Sequence, residues 1–315
     1  MKHRYMYGKQ KPLAQRVKKH IPYYVLLLPM MACFLIFSYA PMYGIIIAFK
    51  DYKIKLGIMG SPWTSMNGFK HFYDLFHSYS FTRVLKNTVT LSLLQTLFSF
   101  PAPIIFALFL NEIRFVRFKK IVQTISYLPH FISWVILASI FIDFLSPSRG
   151  VINAIIKALG GTAIDFMTEP SWFRPIIIIT GIWQGVGWNS IIYLSAISSV
   201  NVEQYEAAYI EGSTRFQNMR YITLPSIMPV VSILFIMKMA YILGGSFDQI
   251  YNMMNPLTVE VGDIIDTYVY RIGLKEFRYS FSTAVGLFKN VVGLIFVLIT
   301  NTVVKHLSDE QNALW

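Results

Sequence analysis

Hydrophobic residues gather along this chain into six stretches, near residues 22–48, 87–110, 125–145, 175–199, 227–247 and 283–304. Each reaches about the 20 residues that a helix needs to cross a bilayer, so the pattern predicts an all-α polytopic membrane protein with six transmembrane helices. Prolines interrupt two of them early, Pro29 and Pro41 in the first and Pro101 and Pro103 in the second. A proline frees a carbonyl that lipid cannot satisfy, which predicts that these spans sit inside a bundle. The connecting segments differ in character. Residues 50–83 hold Trp63 and several other aromatics. Residues 146–172 include VINAIIKALGG, which predicts a short helix closed by Gly160-Gly161 and lying on the membrane surface or against the bundle. Residues 248–282 are polar and acidic enough to be expected to face water. With no internal repeat, low-complexity tract or long linker, one domain suffices: a tail at 1–21, a membrane domain over 22–304 with a polar loop at 201–225, and a short tail at 305–315.

Composition sharpens this picture. Of 315 residues, 55% are hydrophobic and only 14% charged, against about a quarter charged in a soluble domain. The mean hydropathy is +0.49. The net charge is +12, but its placement argues against nucleic-acid binding. Lys2, Arg4, Lys9, Lys11, Arg16, Lys18 and Lys19 crowd the N-terminal tail without an acid among them. Arg114, Arg117, Lys119 and Lys120 follow the second stretch, and Arg215 and Arg220 lie in the polar loop after the fourth. Basic residues are retained on the cytoplasmic side, so both termini and the 201–225 loop are expected there. The basic residues Lys50, Lys53, Lys55, Lys70 and Arg83 on the opposite side are spread out and mixed with Asp51 and Asp74. No small-residue cleavage site follows the first run, so no cleaved signal peptide is expected. Cys33, the single cysteine, falls within that run and is expected to be a packing residue.

The polar loop carries the most specific pattern. It reads Glu206-Ala207-Ala208, three residues, Gly212, nine residues, Ile222, one residue, Leu224-Pro225. Asn201 is placed to cap a helix with Gln204 at its third position, a capping-box spacing. Val202, Tyr205, Ala208 and Tyr209 fall on one apolar face. Gly212 supplies the left-handed backbone that ends this helix, and a second short helix is expected to stop at Pro225 before the fifth span. Two short helices meeting at a glycine make a compact knob. The motif resembles the EAA loop of permease subunits of binding-protein-dependent ABC importers. The resemblance implies a type I importer transmembrane fold, in which Glu206, Ala207, Ala208, Gly212, Ile222, Leu224 and Pro225 dock on a cytoplasmic ATPase subunit.

An enzyme reading finds little support. The chain has no G-x-x-x-x-G-K-[ST] phosphate loop and no G-x-S-x-G elbow, and its histidines lack metal-ligand spacing. No catalytic residue, metal or cofactor is therefore expected in this chain. What remains is polarity inside the spans, which is costly in lipid and so points to a cavity or a partner. Gln184 and Trp188 lie one turn apart on the fourth stretch with Asn189 beside them, while Gly181 and Gly185 make a small-residue packing face. Lys238, Tyr241, Gly245 and Asp248 fall at i, i+3, i+7 and i+10 of the fifth, one continuous helical face if the helix persists. Lys289 and Asn290 lie on the sixth, Trp134 and Asp143 on the third, and His130 opens the third as a residue satisfied at a helix start. Amide and charged groups beside aromatic planes suit a sugar passage, and Gln184, Trp188, Asn189, Lys238, Tyr241 and Asp248 are its candidates. The alternative for the two lysines is pairing with Asp248 or Asp143.

Further resemblance narrows the branch. SYAPMYGIIIAFKDYKIKLGIMGSPW at 38–63, FDQIYNMMNP at 247–256 and DIIDTYVYRIGL at 263–274 look like the polysaccharide/aldouronate branch of carbohydrate permeases. That branch implies a bacterial cytoplasmic-membrane protein moving oligosaccharides from plant polysaccharides, some bearing uronic acids. It further implies a second homologous permease, two ATPase subunits holding ATP and magnesium, and an extracellular sugar-binding protein. Other classes stay open at this point: a secondary transporter for a polar solute, an ABC permease for a non-sugar substrate, and a membrane scaffold or sensor, which would lack polar faces in the fourth to sixth spans.

Overall fold

The computed structural model describes residues 13–307, with side chains over 20–306. The basic tail, from Lys2 to Lys19, and Trp315 therefore lie outside the described side chains. Among the described residues five helices are long and apolar enough to cross a membrane: His20–Phe49, Tyr79–Glu112, Pro170–Ser198, Arg215–Ala240 and Tyr279–His306. Val116–Phe131 and Trp134–Phe144 pass the same test together but meet at an angle of 104°, so they make a sixth span when counted as one broken helix. We number these six spans in chain order, the broken pair being the third. No strand occurs among the described residues, only an isolated bridge between Lys50 and Trp63.

Three of the prolines do not break their helices, and the reason is local. Leu35–Tyr39, Gln95–Ser99 and Met219–Thr223 are each a π-helical turn. Directly after each turn comes a residue followed by proline: Ala40-Pro41, Phe100-Pro101 and Leu224-Pro225. The N–H groups of Ala40, Phe100 and Leu224 donate to the carbonyls of Leu35, Gln95 and Met219, five residues back. A proline ring strikes the preceding turn of an ordinary helix, and the wider turn relaxes that contact. The expectation for Pro225 is thus corrected. It sits in the first turn of a helical segment that continues to Ala240 instead of ending the short helix before it.

The packing also corrects where the prolines lie. Pro103 is buried in the second span, as expected of a bundle position. The first span, however, buries none of its apolar window within this chain, and Leu26 and Phe37 are each 77% exposed. Cys33 is exposed on the same span and is not a core residue.

The remaining spans enclose three hydrophobic clusters. At the end near the 201–225 loop, Ile104, Ala107, Tyr193, Ile197 and Ile227 join the second, fourth and fifth spans. Toward the other end, Leu91, Ala138, Phe173, Ile177, Ile250 and Met253 form a second group. Phe81, Val84, Ile265, Tyr268, Ile272 and Val285 form the third. The close helix crossings need glycine, though not at the expected face. A β-carbon at Gly187 would stand 2.1 Å from the Ser126 carbonyl oxygen, and one at Gly293 would stand 2.5 Å from that of Ala240. Gly181 meets only the Gln249 side chain, at an ordinary 3.4 Å, and Gly185 only the amide of Asn189 on its own helix.

Part of the segment expected to face water, around residues 262–273, instead enters the core, while Asp248, Leu257 and Leu274 stay exposed. Residues Ile265–Tyr270 form a helix whose Ile265 and Tyr268 are buried. Two of the segment's acids leave solvent: Asp263 is fully buried against Arg271, and Asp266 is paired with Lys289. Asn87 of the second span ties the segment in by donating to the carbonyls of Glu260 and Asp263 at 2.8 and 3.2 Å. Thr88 adds a bond, accepting from the Ile265 N–H at 2.9 Å. The short helix Val151–Ala158 forms as expected, with Gly160 at φ +85° closing it and Ile156 packed on the core.

Candidate functional site

The polar loop folds into the expected knob. Its first helix is Val202–Ile210, and the Asn201 side chain accepts from the Glu203 N–H at 3.0 Å. The capping box is one helix further on. The Thr214 hydroxyl accepts from the Gln217 N–H, and the Gln217 side chain accepts from the Thr214 N–H. Thr214 precedes a helix that goes on into the fifth span, so the stronger cap secures the longer element. Gly212 has φ +81°. Around it the Gly212 N–H bonds the Tyr209 carbonyl and the Ser213 N–H the Ala208 carbonyl, both at 3.0 Å. This pair of bonds is a Schellman closure, which requires a left-handed residue.

The expected apolar face divides in two. Tyr205 and Ala208 turn inward, and the Tyr205 hydroxyl is 2.8 Å from the Thr223 hydroxyl at the foot of the fifth span. Val202 and Tyr209 are exposed, as are Glu206 and Ala207, and Ile210 is 85% exposed. Among the described residues the Glu206 carboxylate has no hydrogen-bond or ion-pair partner. Ile222 and Leu224 are half-buried and support the π turn, while Pro225 is exposed. The loop therefore presents a carboxylate and apolar tips on a surface braced from beneath.

At the other end of the fifth span lies a cavity of about 260 Å³. It is lined by Ser92, Gln95 and Thr96 of the second span, by Lys238 and Tyr241, and by the Gly244–Ser246 turn. The span ends at Ala240, and positive φ at Gly245 (+98°) and Ser246 (+60°) turns the chain. This corrects the expected continuous face. Lys238 and Tyr241 do meet in the cavity, but Asp248 starts a separate helix, Phe247–Met253, and is exposed. The turn is fixed from two sides. Gln95 Nε2 donates to the Ser246 hydroxyl at 2.9 Å, and Asp266 accepts from the Gly245 N–H at 3.2 Å while paired with Lys289.

The lysines thus separate in role. Lys289 is neutralised by Asp266, not by the acids expected for it, and Asp143 pairs instead with Arg149 at 2.7 Å. Lys238 is half-buried and, among the described residues, has no carboxylate partner. A cation held in a polar cavity without a counter-charge is poised for an anionic ligand.

The fourth-span candidates form a separate group. The Trp188 ring stacks on His130, centroids 4.6 Å apart and planes 3° apart, with Phe131 edge-on at 5.3 Å. Gln184 Nε2 donates to the His130 carbonyl at 3.4 Å, and Asn189 is exposed beside it. Trp188 remains 40% exposed. His130 is thus more than a helix-start residue: it fixes the indole at the break in the third span. Gln95, Ser246 and Asp266 escaped the sequence reading. Gln95 was findable by the rule that polar residues inside a span matter. No group of three or more metal-ligating side chains occurs among the described residues.

The family described as binding-protein-dependent transport system inner membrane component matches residues 99–309, spanning both the knob and the cavity lysine. Protein LplB of Bacillus subtilis (strain 168) is 46% identical over 91% of this chain and 89% of its own length. The polygalacturonan/rhamnogalacturonan transport system permease protein YteP of the same organism is also 46% identical, over 91% and 88%. Among solved structures, a bacterial ABC transporter involved in the import of the acidic polysaccharide alginate superposes with TM-score 0.86 at 44% identity, covering 94% of this chain and 99% of that one. A bacterial alginate transporter in complex with an alginate pentasaccharide-bound periplasmic protein superposes with TM-score 0.85.

Proposed function

The chain belongs to the binding-protein-dependent transport system inner membrane components, and from that membership we propose that it is the permease subunit of an ATP-driven importer for acidic oligosaccharides. It is a multi-pass membrane transporter subunit with the type I importer fold, not an enzyme. Its proposed partners are a second homologous permease, two ATPase subunits that hold the ATP and magnesium, and an external sugar-binding protein. In this account both termini and the 201–225 knob face the ATPase side, and the chain divides into a tail at 1–21, a membrane domain at 22–304 and a tail at 305–315.

The observation that carries the substrate class is Lys238, the cavity cation without a carboxylate partner. Two relatives are named for polygalacturonan/rhamnogalacturonan and for alginate, the latter an acidic polysaccharide by its description. A carboxylate-bearing sugar would supply the missing counter-charge, with Gln95 and Tyr241 beside it for hydroxyls. The helix running from Arg215 to Lys238 supports the coupling. At 1.5 Å per residue those 23 steps cover about 35 Å, so docking at the knob and motion at the cavity share one element. Gln184, Trp188 and Asn189 are proposed to line the same passage nearer the knob, with Asp248 outside the cavity on its far side.

Lys238→Met tests the substrate class in proteoliposomes holding the full transporter. Uptake of galacturonate oligosaccharides is expected to fall roughly ten- to a hundred-fold, the worth of a charge-assisted bond, while a neutral oligosaccharide is carried as before. Equal losses for both would make Lys238 structural and remove the acidic assignment. Trp188 offers less, because His130 already covers one ring face. Trp188→Ala is expected to slow uptake only several-fold, with sugar binding to the external protein unchanged. An unaltered rate would take the indole out of the passage.

A further inference from the structure

One aromatic cluster lies outside the cavity. Phe247 and Tyr251, four residues apart on the helix Phe247–Met253, stack with centroids 5.3 Å apart and planes at 16°. Tyr270 closes on both, at 5.4 and 5.1 Å. The Lys275 ammonium stands 5.4 Å from the Tyr251 ring centre and 5.6 Å from that of Tyr270. The neighbouring Lys275 ammonium draws the Tyr251 phenol below its ordinary range. Tyr251 and Lys275 are both exposed, and among the described residues Lys275 has no carboxylate partner. An aromatic platform beside an unneutralised cation has the chemistry to hold an acidic sugar ring: planes for its C–H face and an ammonium for its carboxylate.

Its position relative to the cavity is fixed by two elements. Phe247 follows the cavity-lining Ser246 directly. Tyr270 lies one helical turn beyond Asp266, which grips the Gly245 N–H on the cavity wall. The cluster also lies on the outward side, away from the knob. Lys289, at the cavity, is ten residues into the sixth span from Tyr279, about 15 Å at 1.5 Å per residue, whereas Lys275 precedes that helix altogether.

Resting on the proposed function, we propose that Phe247, Tyr251, Tyr270 and Lys275 form an outer subsite. It takes a following ring of an acidic oligosaccharide whose leading ring occupies the Lys238 cavity. In this proposal chain length is read across the two places: a tetrasaccharide engages the cavity and the cluster together, whereas a disaccharide is expected to be held by the cavity alone.

The test compares digalacturonate, tetragalacturonate and the neutral xylotetraose as probes, using the full transporter with its binding protein in proteoliposomes. Tyr251→Ala is expected to lower tetragalacturonate uptake several-fold and leave digalacturonate unchanged, while Tyr251→Phe, which keeps the ring, behaves as the unaltered protein. Lys275→Gln is expected to reduce tetragalacturonate uptake without affecting xylotetraose. Equal losses for the two galacturonates would overturn the subsite, making the cluster either a structural brace or a contact for the binding protein. Unchanged uptake in every variant would overturn it as well. If the unaltered transporter carries neither galacturonate, the proposed function fails and the subsite with it. If it carries both and Lys238→Met separates acidic from neutral sugars, a flat response at Tyr251 removes the subsite alone.

Discussion

Exchanging Glu206 for alanine is expected to abolish ATP-driven uptake while leaving the chain inserted and folded. The side chain is exposed and, among the described residues, has no bonding partner, so its loss removes no contact described within the chain. In the proposed assembly it is buried against a basic group of the ATPase, and breaking such a pair on one side costs about 3–5 kcal/mol. Gly212 provides a graded companion. No atom lies within 4 Å of where its β-carbon would be, so space does not forbid a side chain; the +81° φ does. The left-handed conformation costs an L-residue about 1–2 kcal/mol, most for a β-branched side chain and least for asparagine. Gly212→Val should therefore uncouple strongly and Gly212→Asn weakly. Uptake and ATP hydrolysis in proteoliposomes measure both, and a Glu206→Ala protein that transports normally would refute the docking role.

The second large effect concerns stability. Arg271→Met is expected to destabilise the chain by about 3–5 kcal/mol, a large part of the total stability of an ordinary domain. The Asp263 carboxylate is fully buried and held by Arg271 at 2.6 Å and by the Thr267 hydroxyl at 2.8 Å. Without the guanidinium, that charge stays in the core uncompensated. Asp263→Asn should be far milder, because the amide keeps an acceptor for Thr267 and Arg271, 34% exposed, reaches water. Thermal unfolding in detergent compares the two. Equal transitions for Arg271→Met and the unaltered protein would show that the pair does not hold this segment in the core.

The hydrophobic pattern located all six spans because bilayer thickness sets their length, whatever the packing. It failed where a local device acts without changing composition. The three π turns ahead of Pro41, Pro101 and Pro225 leave no trace in hydropathy, so the short helix of the loop was expected to stop at Pro225, where the helix in fact continues. Conversely, the run from Tyr241 to Phe247 reads as membrane helix, yet Gly245 and Ser246 turn it. Asp263 and Asp266 looked solvated because their partners, Arg271 and Lys289, become visible only in the fold. The knob was legible since its glycine, its spacing and its carboxylate act within twenty residues. The cavity was half legible: Lys238 and Tyr241 are one turn apart in sequence, whereas Gln95 and Ser246 meet across 151 positions.

The most direct test of the whole account is uptake of labelled tetragalacturonate by proteoliposomes containing this chain, its second permease, the ATPase and the binding protein. The account predicts accumulation that requires ATP and the binding protein and exceeds that of a neutral tetrasaccharide. Accumulation driven by an ion gradient without ATP, or none of the acidic sugar while a neutral one enters, would contradict it.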